Sequence, residues 1–223
     1  MKSSLSRRIS AELLGTGFLV AAVVGSGIMG DRLSGGNTAI ALLANTIATG
    51  AALVALILAL RPISGAHLNP VVSMAEAIRG GITWKEAGLY AITQISGGIA
   101  GTACADTMFA LPGFSISHHP RTGAPQWFSE FIATFGLLLV IRTVARFSPD
   151  WLPFAVASYI AAAYWFTAST SFANPAVAIA RSLSDTFAGI RPADVPAFLV
   201  AQLAGGFSAA LVSNWLSFQS SDA

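Results

Sequence analysis

Apolar residues run along this chain in long uncharged blocks, not in the alternating pattern of a water-facing fold. No Asp, Glu, Lys or Arg falls between Arg32 and Arg61, between Glu86 and Asp106, or between Asp194 and Asp222. A helix needs about 20 apolar residues to cross the hydrocarbon core of a bilayer. The blocks predict six such helices, near 9–30, 38–60, 85–108, 124–144, 151–170 and 195–217. Two shorter helical segments, near 69–79 and 174–186, fill the gaps. Neither can cross alone. Backbone that enters lipid must have its polar groups satisfied, so both segments are expected to be buried in protein or to line a watery cavity.

Each short segment opens on Asn-Pro. The first reads Ser64-Gly65-Ala66-His67-Leu68-Asn69-Pro70-Val71-Val72, and the second Ser171-Phe172-Ala173-Asn174-Pro175-Ala176-Val177-Ala178. Other features repeat between the halves. Glu12 and Glu130 stand 118 residues apart, Asn69 and Asn174 stand 105 apart, and Gln94 and Gln202, each followed by glycines, stand 108 apart. Three spans per half is an odd number, so the second half must lie inverted relative to the first. The expectation is an all-α membrane protein of six spanning helices and two re-entrant half-helices. It forms a single domain, 1–223, built from inverted repeats of about 9–113 and 124–217.

Composition agrees. Only 10% of the 223 residues are charged and 54% are hydrophobic, whereas a soluble domain carries about 25% charged residues. The net charge of +2 is too small and too scattered for nucleic acid. The lone Cys104 excludes an intrachain disulfide and is expected to be a small buried hydrophobe. His67, His118 and His119 have no convincing metal spacing, and His118 and His119 are expected in a solvated outer loop. No nucleophile–base pair, cofactor loop or metal site is visible, so no cofactor and no enzyme chemistry are expected. The basic start, Met1 to Arg8, runs straight into an apolar block long enough to span, and is read as the head of a retained first helix. Lys2, Arg7, Arg8, Arg61, Arg79, Lys85, Arg142 and Arg146 fall on the side of the N-terminus, against Arg32, Arg121, Arg181 and Arg191 on the other. That excess puts both termini in the cytoplasm. Trp84, Trp127 and Trp151 fall at predicted helix ends, where interfacial anchors belong, and the polar tail Gln219 to Ala223 is expected to be disordered.

Pro70 and Pro175 fit the first turn of a helix, where a missing N–H costs nothing. The preceding Asn69 and Asn174 are good caps. Two helix N-termini facing each other each present about half a positive charge. A cation meets a positive field there, while a neutral solute accepts hydrogen bonds from the two amides.

Taken together, these motifs resemble those of the aquaporin family, the major intrinsic proteins, over nearly the whole chain. The resemblance implies a passive channel in a right-handed helical bundle, a homotetramer embedded in the lipid bilayer, and a bacterial inner membrane. It implies that His67 and Leu68 line the pore, and that Glu12, Glu130, Gln94 and Gln202 support the re-entrant loops. The intramembrane carboxylates otherwise suggest proton relay. In the family an Arg usually follows the second Asn-Pro-Ala176 element; here Val177 stands there, and Val71 replaces the usual Ala of the first. Carrying over the outer constriction by spacing gives Thr49, Ala162, Ser171 and Val177, a wide filter without its cation. Arg181 is expected to be a surface residue paired with Asp185; the alternative places it in the vestibule, replacing the lost charge. The run 174–190 resembles bacterial aquaglyceroporins of arsenic resistance, which implies trivalent arsenite as As(OH)3, methylated arsenicals, small polyols and water as solutes. A water-selective channel and a secondary transporter remain as alternatives.

Overall fold

The computed structural model describes residues 3–218. The tail 219–223, expected to be disordered, lies outside the described residues. Eight α-helices follow in order: α1 (Leu5–Leu33), α2 (Thr38–Ser64), α3 (Pro70–Ile78), α4 (Trp84–Met108), α5 (Ala124–Phe147), α6 (Leu152–Phe166), α7 (Pro175–Arg181) and α8 (Val195–Phe218). Short 3₁₀ turns precede α6 and α8. There is no strand among the described residues.

Local chemistry sets several boundaries. Asn37 caps α2 by accepting from the Ala39 and Ile40 amides, and Gly65 ends it at φ +92°. Thr83 and Glu86 form a reciprocal capping box at the start of α4. α6 ends at Phe166, four residues before the predicted limit, because the chain must open into an extended loop before Asn174. α7 likewise stops at Arg181, not 186: Ser182 and Leu183 instead accept from the Ser117 and Ser115 amides of the outer loop.

The molecule buries polar and charged groups among its apolar core and exposes large apolar side chains. Glu12, Gln94, Glu130 and Gln202 are all 0% exposed, while Phe18, Phe128 and Val200 are 65%, 65% and 68% exposed. That exposure suits a hydrocarbon solvent. Trp84, Trp127 and Trp151 are exposed near the ends of α4, α5 and α6. Cys104 is also exposed, on the outward face of α4, and not buried as its residue type suggested. Four helical stretches among the described residues are long and apolar enough to cross a membrane by themselves: α1, α2, α5 and Pro192–Leu216. α4 has the length but carries Gln94, Thr102, Asp106 and several glycines. α6 has 15 residues, about 22 Å at 1.5 Å per residue.

The halves pack alike. α1 lies against α2 and α4, α5 lies against α6 and α8, and α2 joins α6 across the centre. Glycines permit the tightest crossings. A methyl group at Gly97 of α4 would overlap the Leu13 carbonyl of α1, and one at Gly205 of α8 would overlap the Phe131 carbonyl of α5. These contacts correspond at the same separations, 108 and 118, as the Gln and Glu pairs. Val71, bulkier than Ala, fills the space opposite Gly206 on α8.

Candidate functional site

The two half-helices α3 and α7 meet through their N-terminal loops. Asn69 accepts at Oδ1 from the Val71 amide (2.9 Å), and Asn174 does so from Ala176 (3.0 Å) and Val177 (3.4 Å). Each side-chain amide then reaches across. Asn69 Nδ2 donates to the Ala173 carbonyl and Asn174 Nδ2 to the Leu68 carbonyl, both at 2.7 Å. Reciprocal bonds of this kind mark a two-fold-related contact, the local signature of the inversion. An amide nitrogen carries two donors, so one from each Asn remains for the lumen.

The loops before the half-helices are strained in matching ways. Ala66 and Leu68 have φ of 49° and 50°; Thr170, Ser171 and Ala173 have 60°, 53° and 47°. Left-handed backbone at non-glycine residues costs on the order of 1 kcal/mol each. Two buried carboxylates hold it. Glu12 accepts from Ser64 Oγ (2.6 Å), the His67 amide (2.9 Å), the Leu68 amide (2.7 Å) and Gln94 Nε2 (2.8 Å). Glu130 accepts from Ser169 Oγ (2.6 Å), the Phe172 amide (2.9 Å), the Ala173 amide (2.9 Å) and Gln202 Nε2 (2.6 Å). Neither carboxylate borders the cavity, and four donors occupy each.

A cavity of about 340 Å³ runs past these elements. Arg61, Glu76 and Arg79 line one end, His67, Asn69 and Asn174 the middle, and Thr49, Tyr164, Ser171, Val177 and Arg181 the other. The His67 ring meets Tyr90 edge-on with centroids 5.3 Å apart, and its Nδ1 lies 3.1 Å from Ser73 Oγ. Leu68 borders the cavity, but its side chain packs into the space opposite Gly15 of α1, which leaves its carbonyl to receive Asn174. Thr49 Oγ1 and Tyr164 Oη are 3.2 Å apart. Ser171 Oγ is buried with no partner among the described residues.

Two of the sequence expectations are corrected here. Ala162 is exposed on the outer face of α6 and does not reach the cavity. The buried stripe of α6 runs through Val156, Ile160 and Tyr164. Only seven residues, 167–173, separate α6 from Asn174, so counting back twelve lands on the wrong face. Tyr164 occupies the wall instead. Arg181 is not a surface partner of Asp185. It is 2% exposed, its Nε donates to the Ala188 carbonyl, and its guanidinium lies 3.5 Å from the Phe172 ring centroid. Asp185 is held by the outer loop, accepting from the His118 amide (2.8 Å) with His118 Nδ1 at 2.9 Å. The amide bond from His118 is the main cause holding the Asp185 carboxyl below its usual range.

Sequence reasoning missed a third residue. Arg121, from the outer loop, is 8% exposed and donates to the Gly189 (2.8 Å) and Ser169 (3.1 Å) carbonyls. Its guanidinium lies 4.9 Å from the same Phe172 ring. The only local signal was a lone cation in a loop of Pro and Gly, which is uninformative until the loop is folded back over the second half-helix.

Polar half-helix termini meeting along a cavity inside an apolar-coated bundle define a membrane channel for small solutes. The chain belongs to the major intrinsic protein family, whose model matches residues 1–151. It is 55% identical over 212 residues to the aquaglyceroporin AqpS of Rhizobium meliloti (strain 1021), covering 95% of this chain and 91% of that one. Identity to the rice aquaporin NIP1-1 is 30% over 222 residues, covering 95% of this chain and 75% of the other. The rice aquaporin NIP3-1 is 34% identical over 145 residues, with 64% and 46% coverage. The X-ray structure of the aquaglyceroporin from Plasmodium falciparum superposes with a TM-score of 0.78 over 96% of this chain and 98% of that one, at 22% identity, and so shares the fold. Channels of this family are not enzymes.

Proposed function

We propose that the protein conducts small, neutral, hydroxyl-rich solutes passively, trivalent arsenite as As(OH)3 foremost, with methylated arsenicals, small polyols and water. The observation that carries this reading is the composition of the cavity wall. Hydroxyls of Thr49 and Tyr164 line the same cavity as the apolar Val177, where relatives place a cation, and the two Asn side chains line it too. A solute bearing several hydroxyls finds partners along that path, and Val177 leaves room beside them. In this reading Thr49, Tyr164, Ser171 and Val177 form the outer filter, and His67 with the Leu68 carbonyl continues the path inward. The likeness to a protein named as an aquaglyceroporin supports the solute class. The excess of Lys and Arg supports cytoplasmic termini in a bacterial plasma membrane, and the apolar outer faces leave room for a homotetramer in the bilayer.

Tyr164 favours one competing reading, a water-selective channel, because an aromatic ring narrows the passage. Osmotic swelling of proteoliposomes in glycerol and in arsenite, alongside water, separates the two. The expected result is rapid entry of all three, suppression of the larger solutes by Val177→Arg, and no change with Ala162→Trp, which faces outward. Water flux alone, indifferent to Val177→Arg, would reject the proposal.

A further inference from the structure

We infer that Arg181 supplies the cation of the outer constriction that is missing at Val177, and that it determines which solutes pass. The inference deepens the proposed function and rests on it for the location of the outer filter. Four residues, one helical turn, separate Val177 from Arg181. The guanidinium therefore returns to the same face of α7 and reaches the same cavity, whose wall it forms.

The side chain is built in. It is 2% exposed, its Nε is committed to the Ala188 carbonyl, and its plane is placed by the Phe172 ring at 3.5 Å. Phe172 is itself buried, and its backbone amide is fixed by Glu130 (2.9 Å). The position of Arg181 is thus coupled to the carboxylate that shapes the loop. Among the described residues, only Nε has a hydrogen-bond partner in the protein; no bond is made by the two terminal nitrogens. A guanidinium carries four more N–H donors on those nitrogens, and the lumen is where they can find acceptors. The nearest carboxylate of the loop scaffold, Glu130, is already saturated by Ser169, Phe172, Ala173 and Gln202. Arg121, on the same Phe172 ring, adds positive charge and does not neutralise it.

The chemistry follows. Arg is always charged and presents its donors in a rigid fork. A neutral polyhydroxyl solute accepts from that fork as it passes Thr49 and Tyr164. A monovalent cation is repelled by it before it reaches the half-helix termini. Moving the charge one turn along α7 leaves Val177 as an apolar, wider step at the old level. Cation exclusion and a wide filter are then carried by two different residues.

The test measures methylammonium and potassium entry, together with water, glycerol and arsenite entry, in proteoliposomes of the full chain. The variants are Arg181→Gln, Arg181→Lys and the double variant Val177→Arg/Arg181→Gln. Arg181 is one of two guanidiniums beside Phe172, and removing its charge from the cavity wall is expected to raise cation entry by roughly tenfold or more. Arg181→Lys is expected to keep cations out but lower glycerol entry, since a point charge replaces the fork. The double variant is expected to restore exclusion while water entry is retained, which shows that the leak of the Gln variant comes from the lost charge and not from misfolding. Cation entry in Arg181→Gln equal to that of the parent would overturn the inference. So would cation leakage that the double variant fails to restore. A parent channel that passes water but neither glycerol nor arsenite would reject the proposed solute class; the cation readout would still decide the role of Arg181.

Discussion

Replacing Glu130 by Gln is the sharpest probe of how the second re-entrant loop is held. The substitution preserves volume but changes what the side chain can accept. All four partners of Glu130 are donors: Ser169 Oγ and the Phe172 amide at one oxygen, the Ala173 amide and Gln202 Nε2 at the other. Gln offers one oxygen and one NH2 group, so whichever way it turns, one backbone amide, Phe172 or Ala173, faces a donor, while the Ser169 hydroxyl or the Gln202 amide beside it can turn to accept. Hydrogen bonds to a charged group contribute about 1.5–3 kcal/mol each, and losing the one at the backbone amide makes the expected loss about 1.5–3 kcal/mol. The loop also stores backbone strain at Thr170, Ser171 and Ala173, on the order of 1 kcal/mol per residue, and it relaxes once the anchor weakens. Because Asn174 and Phe172 are set by that loop, glycerol and water permeability should fall together in proteoliposomes, with a lower thermal transition in detergent. Glu12→Gln should behave alike, since Glu12 also accepts four donors. Parental permeability and parental thermal stability in Glu130→Gln would refute this reasoning. Loss of proton flux with solute flux intact would point instead to the relay role that an intramembrane carboxylate otherwise suggests.

Two further outcomes are expected. Gly97→Ala drives a methyl group into the Leu13 carbonyl and should lower stability by about 1–3 kcal/mol as an overpacked contact, whereas Gly88→Ala, with open space at its Cβ, should be neutral; thermal unfolding in detergent compares them. The Asp185 carboxyl lies below its usual range because it accepts the His118 amide. A depressed folded value contributes stability that is present above the unfolded value of about 3.9 and is lost as pH falls through the folded one. Protection of the outer-loop amides 113–119, taken relative to intrinsic exchange at each pH, should therefore fall only in that acid range, and Asp185→Asn should remove that change in protection.

The sequence by itself determined the architecture. Uncharged blocks of spanning length, two Asn-Pro elements too short to span, and matched Glu and Gln positions leave few folds, because lipid forbids unsatisfied backbone. Pro at the first turn and Asn before it fix where α3 and α7 begin. The glycines of α4 and α8 mark close crossings, although which carbonyl each one meets depends on the packed helices. The wall of the outer constriction was decided only in three dimensions. Counting residues back from Asn174 presupposes a loop length, and the early end of α6 rotates Ala162 outward and Tyr164 inward. Arg181 looked like a partner for Asp185 because the two are one helical turn apart, but α7 ends at Arg181, so that turn does not exist. Arg121 reaches Phe172 only because the outer loop folds over the second half-helix. Helices are local, repeating structures whose boundaries and faces are written in adjacent residues. The filter is assembled from a loop, a helix end and a half-helix far apart in the chain, and its geometry follows from how those pieces pack.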